Sequence, residues 1–404
     1  MKIVVLKFGG TSVGTVERIK KIANIIASYV KKGFKVIVVS SAMSGATNDL
    51  IKKSRSISNN FNFSEYDVLV SAGEQISCAL IAGRLNHLGY KSRSWTSWQI
   101  PILTEGEHKS SRISKINKTK IMNYLKTGGI PIITGFQGVN SNNRITTLGR
   151  GGSDASAIIC AKFFKAEKCV IFTDVEGVYT TDPNNFKNAK KIKIISYEEM
   201  LEMASLGAKV MQPHSIQDAR LNRIEIDVKS SFVQKKGTLI TKRKNIIRNR
   251  TITGLTSTKN DAKVTLVGVK DKPGVAASVF KPLYQNYINV DMVVQTSSRN
   301  NRETDITFTI KLDDLSKTLK LIRQNKKIKY RDLIANKGVS KVSIIGVGMV
   351  TTPGVTYRMF QTLASKAINI LVISTSEIKI SVLISKKNVK KALSALHKEF
   401  KLNS

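Results

Sequence analysis

The sequence predicts an α/β protein: a mainly parallel sheet sandwiched by helices over residues 1–244, then two smaller α/β units over 251–340 and 341–404. Fully apolar, β-branched runs alternate with helix-period segments through the first part, the pattern of strands buried on both faces. Glycine turns stand where several of those runs end. Beyond a polar, basic stretch from Lys242 to Arg250, a set of residues recurs at a fixed offset, as a duplication does.

Taken in order, Ile3 to Phe8 is a strand-like run ending in Gly9-Gly10. Apolar residues at Ile19, Ile22, Ala23, Ile26 and Val30 have helical spacing, and Gly33 ends that helix. Val36 to Val39, Ile130 to Thr134, Val170 to Thr173 and Ile224 to Val228 read as further strands, with helices at Ala155 to Phe164 and Glu198 to Leu206. In the repeat, Val267-Gly268, Pro273-Gly274-Val275, Phe280, Leu283 and Ile288-Asn289 recur 80 residues later as Val347-Gly348, Pro353-Gly354-Val355, Phe360, Leu363 and Ile368-Asn369. Each copy reads strand, Pro-Gly turn, helix, strand, strand, helix. Sheets of the first kind bind ligands beyond the strands' carboxyl ends, where loops enter helices.

Composition excludes several classes. No run approaches the ~18 apolar residues of a membrane span, and the N-terminus carries no secretory pattern. Cys78, Cys160 and Cys169 are scattered among apolar neighbours and read as buried thiols in a reducing compartment, so the cytoplasm is expected. The net charge of +38 has two readings, a nucleic-acid partner or a compositional bias towards Lys, Asn and Ile. Basic residues are dispersed and aromatics do not interleave with them, which favours bias, with no nucleic acid and no membrane as partners.

Three segments carry chemistry. Lys7-Phe8-Gly9-Gly10-Thr11-Ser12 sets a lysine at a strand end and two glycines in the turn into a helix, either an anion cradle or a plain turn. It is no Walker loop, since Thr15-Val16 stands where Lys-Ser/Thr belongs. Thr147-Leu148-Gly149-Arg150-Gly151-Gly152-Ser153-Asp154 precedes a helix that Ser153 could cap, and Arg150 has the fork that grips a carboxylate. Its plainer reading is a structural loop with a solvated arginine. Glu74, in Ser71-Ala72-Gly73-Glu74, suits a substrate ammonium or a helix dipole equally. Thr173 to Asp182 offers hydroxyl, carboxylate and aromatic contacts for a nucleotide, and Lys209 is a further phosphate-facing candidate. His87, His108, His214 and His397 stand isolated, with neither metal-ligand spacing nor a nucleophile beside them. A carboxylate acceptor is already ionised at neutral pH and needs no general base, only positioning and positive charge around the phosphoryl group.

Together with Ser41-Ala42-Met43 and Gly135-Phe136-Gln137-Gly138, these segments closely resemble the aspartate kinases of the amino-acid kinase superfamily, and the Pro-Gly units resemble tandem ferredoxin-like βαββαβ ACT domains. The resemblance covers almost the whole chain. It implies transfer of the ATP γ-phosphoryl to the β-carboxylate of L-aspartate, the entry to lysine, threonine and methionine. It places Arg150 on the substrate α-carboxylate, Glu74 on its ammonium and Thr47 on a carboxylate oxygen, with Ser41 and Ser153 beside the substrate. Lys7 neutralises the moving phosphoryl, and Asp154 orients Lys7 or the metal-bound phosphate network. Gly9, Gly10 and Ser12 line the phosphates; Thr173, Asp174, Tyr179, Asp182 and Lys209 hold the nucleotide. Mg²⁺ is implied as a phosphate-bridging ion with few protein ligands. Lysine, threonine or both are the implied effectors, at Asp271, Gly274, Val275, Asn289, Gln295 and Thr304. One chain type is expected, in a homo-oligomeric dimer or tetramer, since no methionine lies between Met211 and Met292 to start a short subunit. Glu176 and Asn184 depart from the family, which usually has Asp and often Arg there. The rival readings are a kinase of acetylglutamate, glutamate, carbamate or a nucleotide, and a non-catalytic amino-acid sensor.

Overall fold

A computed structural model describes residues 1–208, 210–242, 250–297 and 303–403. The described chain forms two compact units. The first takes residues 1–178, 191–205 and 210–242; the second takes 179–190, 206–208 and 250–403.

The first unit is built on an eight-stranded sheet. Its order is Ile194–Ser196, Thr238–Thr241, Ile226–Ser230, Lys168–Thr173, Ile3–Phe8, Lys35–Ser40, Ile130–Thr134, Ser92–Trp95. Only the pairing of Thr238–Thr241 with Ile226–Ser230 is antiparallel. Every residue of Ile3–Phe8 is buried, as helices on both faces require. Side chains alternate along that strand. Val4, Leu6 and Phe8 therefore enter a core shared with Ile19, Ile22 and Ile26 of the helix Val16–Lys31 and with Cys78, Ile81 and Leu85 of the helix Phe63–His87. Lys7 falls on the other face, towards the helix Gly152–Phe163. A second, four-stranded sheet (Arg112–Ile116, Ile102–Glu105, Gln137–Val139, Ile145–Thr147) carries the Gly-rich loop at its end.

The helix Phe63–His87 has the length and apolarity to cross a bilayer, but it lies within this unit and buries both Asp67 and Glu74. It is a core helix. The three cysteines are free and fully buried, and burial pushes the Cys160 thiol up to about 12. The strand expected over Ile224 to Val228 runs Ile226–Ser230 instead, because Arg223 ends the preceding helix in a left-handed turn that Ile224 and Glu225 must leave.

In the second unit the repeat is visible as expected. Helices Val275–Gln285 and Val355–Ala364 each follow a glycine in the left-handed region, Gly274 (φ 88°) and Gly354 (φ 85°). The copies share one strand. Asp332–Ile345 pairs through its first half with Asp261–Lys270 of copy one and through its second half with Lys379–Ser385 of copy two. Gly254–Ser257, which precedes copy one in sequence, adds to the second half of that strand. The excursion 179–190 is held in the same unit: Leu255 donates its N–H to the Thr180 carbonyl at 2.6 Å, and the Thr180 hydroxyl and His397 Nε2 share a hydrogen bond of 2.9 Å.

Candidate active site

The strand Ile3–Phe8 delivers Lys7 to its carboxyl end, and the chain turns there at once. Gly9 N–H donates to the Phe172 carbonyl, while Ser12 and Val13 N–H donate to Gly9 O. Lys7 Nζ lies 2.6 Å from Asp154 Oδ1, and both residues are nearly buried. A Cβ on Gly9 would stand 3.3 Å from that ammonium, so glycine keeps the space above it open.

Glu74 comes from the twelfth residue of the helix Phe63–His87, far from its N-terminus, which removes the helix-dipole reading. A Cβ on Gly73 would sit 2.7 Å from Ala42 Cβ, so only glycine lets the helix press against the turn at Ser41-Ala42. That approach lets Ala42 N–H donate to Glu74 Oε1 at 3.1 Å. Glu74 Oε2 is buried and has no hydrogen-bond partner among the described residues. Burial raises its carboxyl to about 8, against the opposing pull of the Ala42 N–H. A carboxylate kept there with one oxygen unsatisfied suits an incoming cation.

The Gly-rich loop uses Gly149 (φ 74°) and Gly151 (φ 70°) to double back before the helix Gly152–Phe163. Gly151 occupies the cap position and no side chain caps the helix; Ser153, expected as its cap, lies inside the first turn and faces the cavity. Phe136 is also left-handed (φ 68°), uncommon for an aromatic residue and found at functional sites.

These pieces surround one cavity of about 1170 Å³. Lys7, Gly9, Gly10, Ser41, Thr47, Glu74, Arg150, Ser153, Asp154, Thr173 and Asp174 all line it. Ser12 does not: it is fully buried and its hydroxyl donates to the Phe172 carbonyl. Tyr179 and Asp182 belong to the second unit and are not among the lining residues; the Asp182 carboxylate accepts from Asn184 N–H and Asn185 Nδ2, holding its own turn. Lys209 lies outside the described residues. Lys109, Phe136, Phe63 and Tyr66 also line the cavity, and nothing in their local sequence marks Lys109 beyond its charge. Glu176, one of the two departures, pairs with Lys191 and Lys235.

On the regulatory side, Gly274 and Val275 form the turn into the first repeat helix, and Gln295 lies exposed on the edge strand Asp291–Ser297. Asp271 and Asn289 are exposed, whereas Thr304 is buried with its hydroxyl donating to the Thr296 carbonyl.

Residues 2–230 match the amino acid kinase family, and residues 264–325 and 342–400 match the ACT domain. The aspartokinase of Geobacillus stearothermophilus is 42% identical over 402 residues, spanning 100% of this chain and 98% of the relative. That of Pseudomonas aeruginosa is 44% identical over 407 residues with the same coverage. The chain belongs to the aspartokinase family. It is accordingly a kinase that phosphorylates aspartate, with a pair of ACT domains for allosteric control. The fold agrees. Escherichia coli aspartokinase III, solved with lysine and aspartate in its T-state, is similar with a TM-score of 0.81 at 26% identity, covering 99% of this chain and 100% of that one. The R-state of that enzyme with aspartate and ADP gives 0.78 at 26% identity, covering 98% and 99%.

Proposed function

We propose that the cavity of the first unit clamps ATP and L-aspartate by fixed charge alone, with no residue acting as a base. The carrying observation is that Lys7, Arg150 and the half-satisfied Glu74 line one cavity. In this reading Arg150 grips the α-carboxylate in a fork, Glu74 Oε2 takes the ammonium, and Thr47 and Ser41 donate to the remaining oxygens. The side-chain carboxylate is left facing Lys7, already ionised.

Lys7, held by Asp154, meets the charge that spreads over the transferring phosphoryl group, while Gly9 and Gly10 leave room for phosphate oxygens. Ser12 supports the turn from below, and Thr173 and Asp174 approach the nucleotide. Mg²⁺ fits as an ion carried mainly by the nucleotide phosphates; Asp174, which lines the cavity, suits a water of its hydration shell. The ion supplies charge neutralisation to the β- and γ-phosphates.

The ACT pair gives the reaction a sensor. Asp271, Gly274, Val275, Asn289 and Gln295 are the positions suited to lysine or threonine, while Thr304 contributes through its backbone position, its hydroxyl being engaged. Control requires the effector to favour one of two arrangements. A cytoplasmic setting, supported by three free, buried thiols, and a homo-oligomer of one chain type complete the reading.

ADP release measured with aspartate, glutamate, acetylglutamate and carbamate, and repeated with lysine, threonine and both, tests it. Turnover with aspartate alone, lowered by an effector, is expected. Faster release with another acceptor would reassign the substrate; none with any acceptor would leave a sensor.

A further inference from the structure

Seven residues before Glu74, on the same helix, Asp67 is fully buried and lies outside the cavity lining. Its carboxylate gathers donors from two segments distant in sequence, the loop at His108-Lys109 and the end of the strand Ile145–Thr147. His108 Nδ1 is 2.7 Å away and Lys109 N–H 3.1 Å; Thr147 Oγ1 is 2.6 Å away and Thr147 N–H 3.1 Å. The carboxylate oxygen accepts from its other neighbours, so His108 is read as donating from Nδ1. The two segments also close on each other, through Ser111 N–H to the Thr147 carbonyl at 3.0 Å. Lys109, in the left-handed region (φ 68°), brings its carbonyl to 3.0 Å from where a Gly149 Cβ would stand. Thr147 is three residues before Arg150, and Lys109, Thr147, Gly149 and Arg150 all line the cavity.

Residues seven apart sit two turns along one helix face. The helix Phe63–His87 thus holds Glu74 directly in the cavity and, two turns back, anchors through Asp67 the loop that presents Arg150. We propose that Asp67, with His108, is a positioning residue that fixes the spacing between the ammonium receiver and the carboxylate fork, and so sets the affinity for the amino-acid substrate. This rests on Arg150 being that fork. A purely structural role for Asp67 predicts loss of stability with both substrates affected alike; the positioning role predicts that aspartate suffers and ATP does not.

The experiment is steady-state kinetics on full-length Asp67→Asn, His108→Leu, His108→Asn and Arg150→Ala, with melting temperatures. Asn at 67 removes the charge that strengthens all four bonds and forces the Thr147 hydroxyl to turn and accept, or else turns an amide donor towards the three donors on the other oxygen, so the aspartate KM is expected to rise about tenfold or more, with the ATP KM within about twofold of wild type. His108→Leu, which removes one donor from a partly exposed position, is expected to raise the aspartate KM several-fold. His108→Asn, whose amide can donate from near Nδ1, should restore it to within about twofold. Unchanged aspartate KM in Asp67→Asn and His108→Leu overturns the proposal, as does a parallel rise in both KM values. If Asp67→Asn fails to fold, the His108 pair decides alone. If Arg150→Ala itself leaves the aspartate KM unchanged, the fork assignment is wrong and the proposal falls with it; if only Arg150→Ala raises it, the fork stands and Asp67 has no part.

Discussion

Glu74, as the proposed receiver of the substrate ammonium, is expected to set the pH behaviour of the site. Its folded value of about 8 lies well above the ordinary value of a glutamate, so the native state favours the protonated form through the neutral range. Binding an ammonium needs the ionised form. The aspartate KM is therefore expected to rise as pH falls below about 8, approaching tenfold per unit, while the ATP KM stays level. The stability sign follows from the same shift. The unfolded state ionises near ~4.3 and the native state near 8, so the unfolded state binds fewer protons between them and stability falls as pH rises through that window. Glu74→Gln is expected to melt above wild type at pH 8, to lose that margin at pH 4, and to show a raised, pH-independent aspartate KM. A wild-type aspartate KM that is flat from pH 6 to 9 would contradict the assignment.

At the scale of elements, the glycines decide where charges stand. Gly73 lies inside a long helix, where Ala normally gains about 0.5–1 kcal/mol. Here its Cβ would meet Ala42 Cβ at 2.7 Å, and neither atom can swing aside. Gly73→Ala is expected to push the Ser41-Ala42 turn away, break the Ala42 N–H to Glu74 bond and raise the aspartate KM about tenfold or more, read by kinetics beside the melting temperature. Unaltered kinetics would show that the turn yields freely. Much at this scale was legible in the sequence. The run Ile3 to Phe8 matches the strand to the residue because apolar period and glycine stop coincide. The four-stranded sheet was not legible, since strands of three to five residues show too few alternations to be distinguished from loops. Asp67 was missed for a related reason: one of three acidic residues on its helix, it carries no local sign of partners 41 and 80 positions away.

For the whole molecule, the duplication in the sequence foretold two copies but not how they are joined. One strand, Asp332–Ile345, serves both, and Gly254–Ser257 crosses from before copy one to complete copy two. Hydrophobic period cannot reveal such sharing, because the first half of the strand is largely exposed and carries Asp332, Asn336, Lys337 and Gly338, which read as a connection rather than a strand, whereas the second half is buried. Nor did the segment after Thr173 show that residues 179–190 pack with the second unit. A piece spanning 250–404 is therefore expected to fold cooperatively, while one cut at 341 loses its edge strand and half of its first strand; circular dichroism melts distinguish them, and equal transitions would refute the shared-strand account. In the proposed reaction, fixed charge acts without a base. Its most direct test is kcat for aspartate-dependent ADP release at saturating ATP and aspartate in Lys7→Met, with Lys7→Met/Asp154→Asn as the folded control that leaves no unpaired buried carboxylate. Both variants are expected to lose about 10²–10³ in kcat; a double variant that folds and keeps kcat within about threefold of wild type would contradict the account.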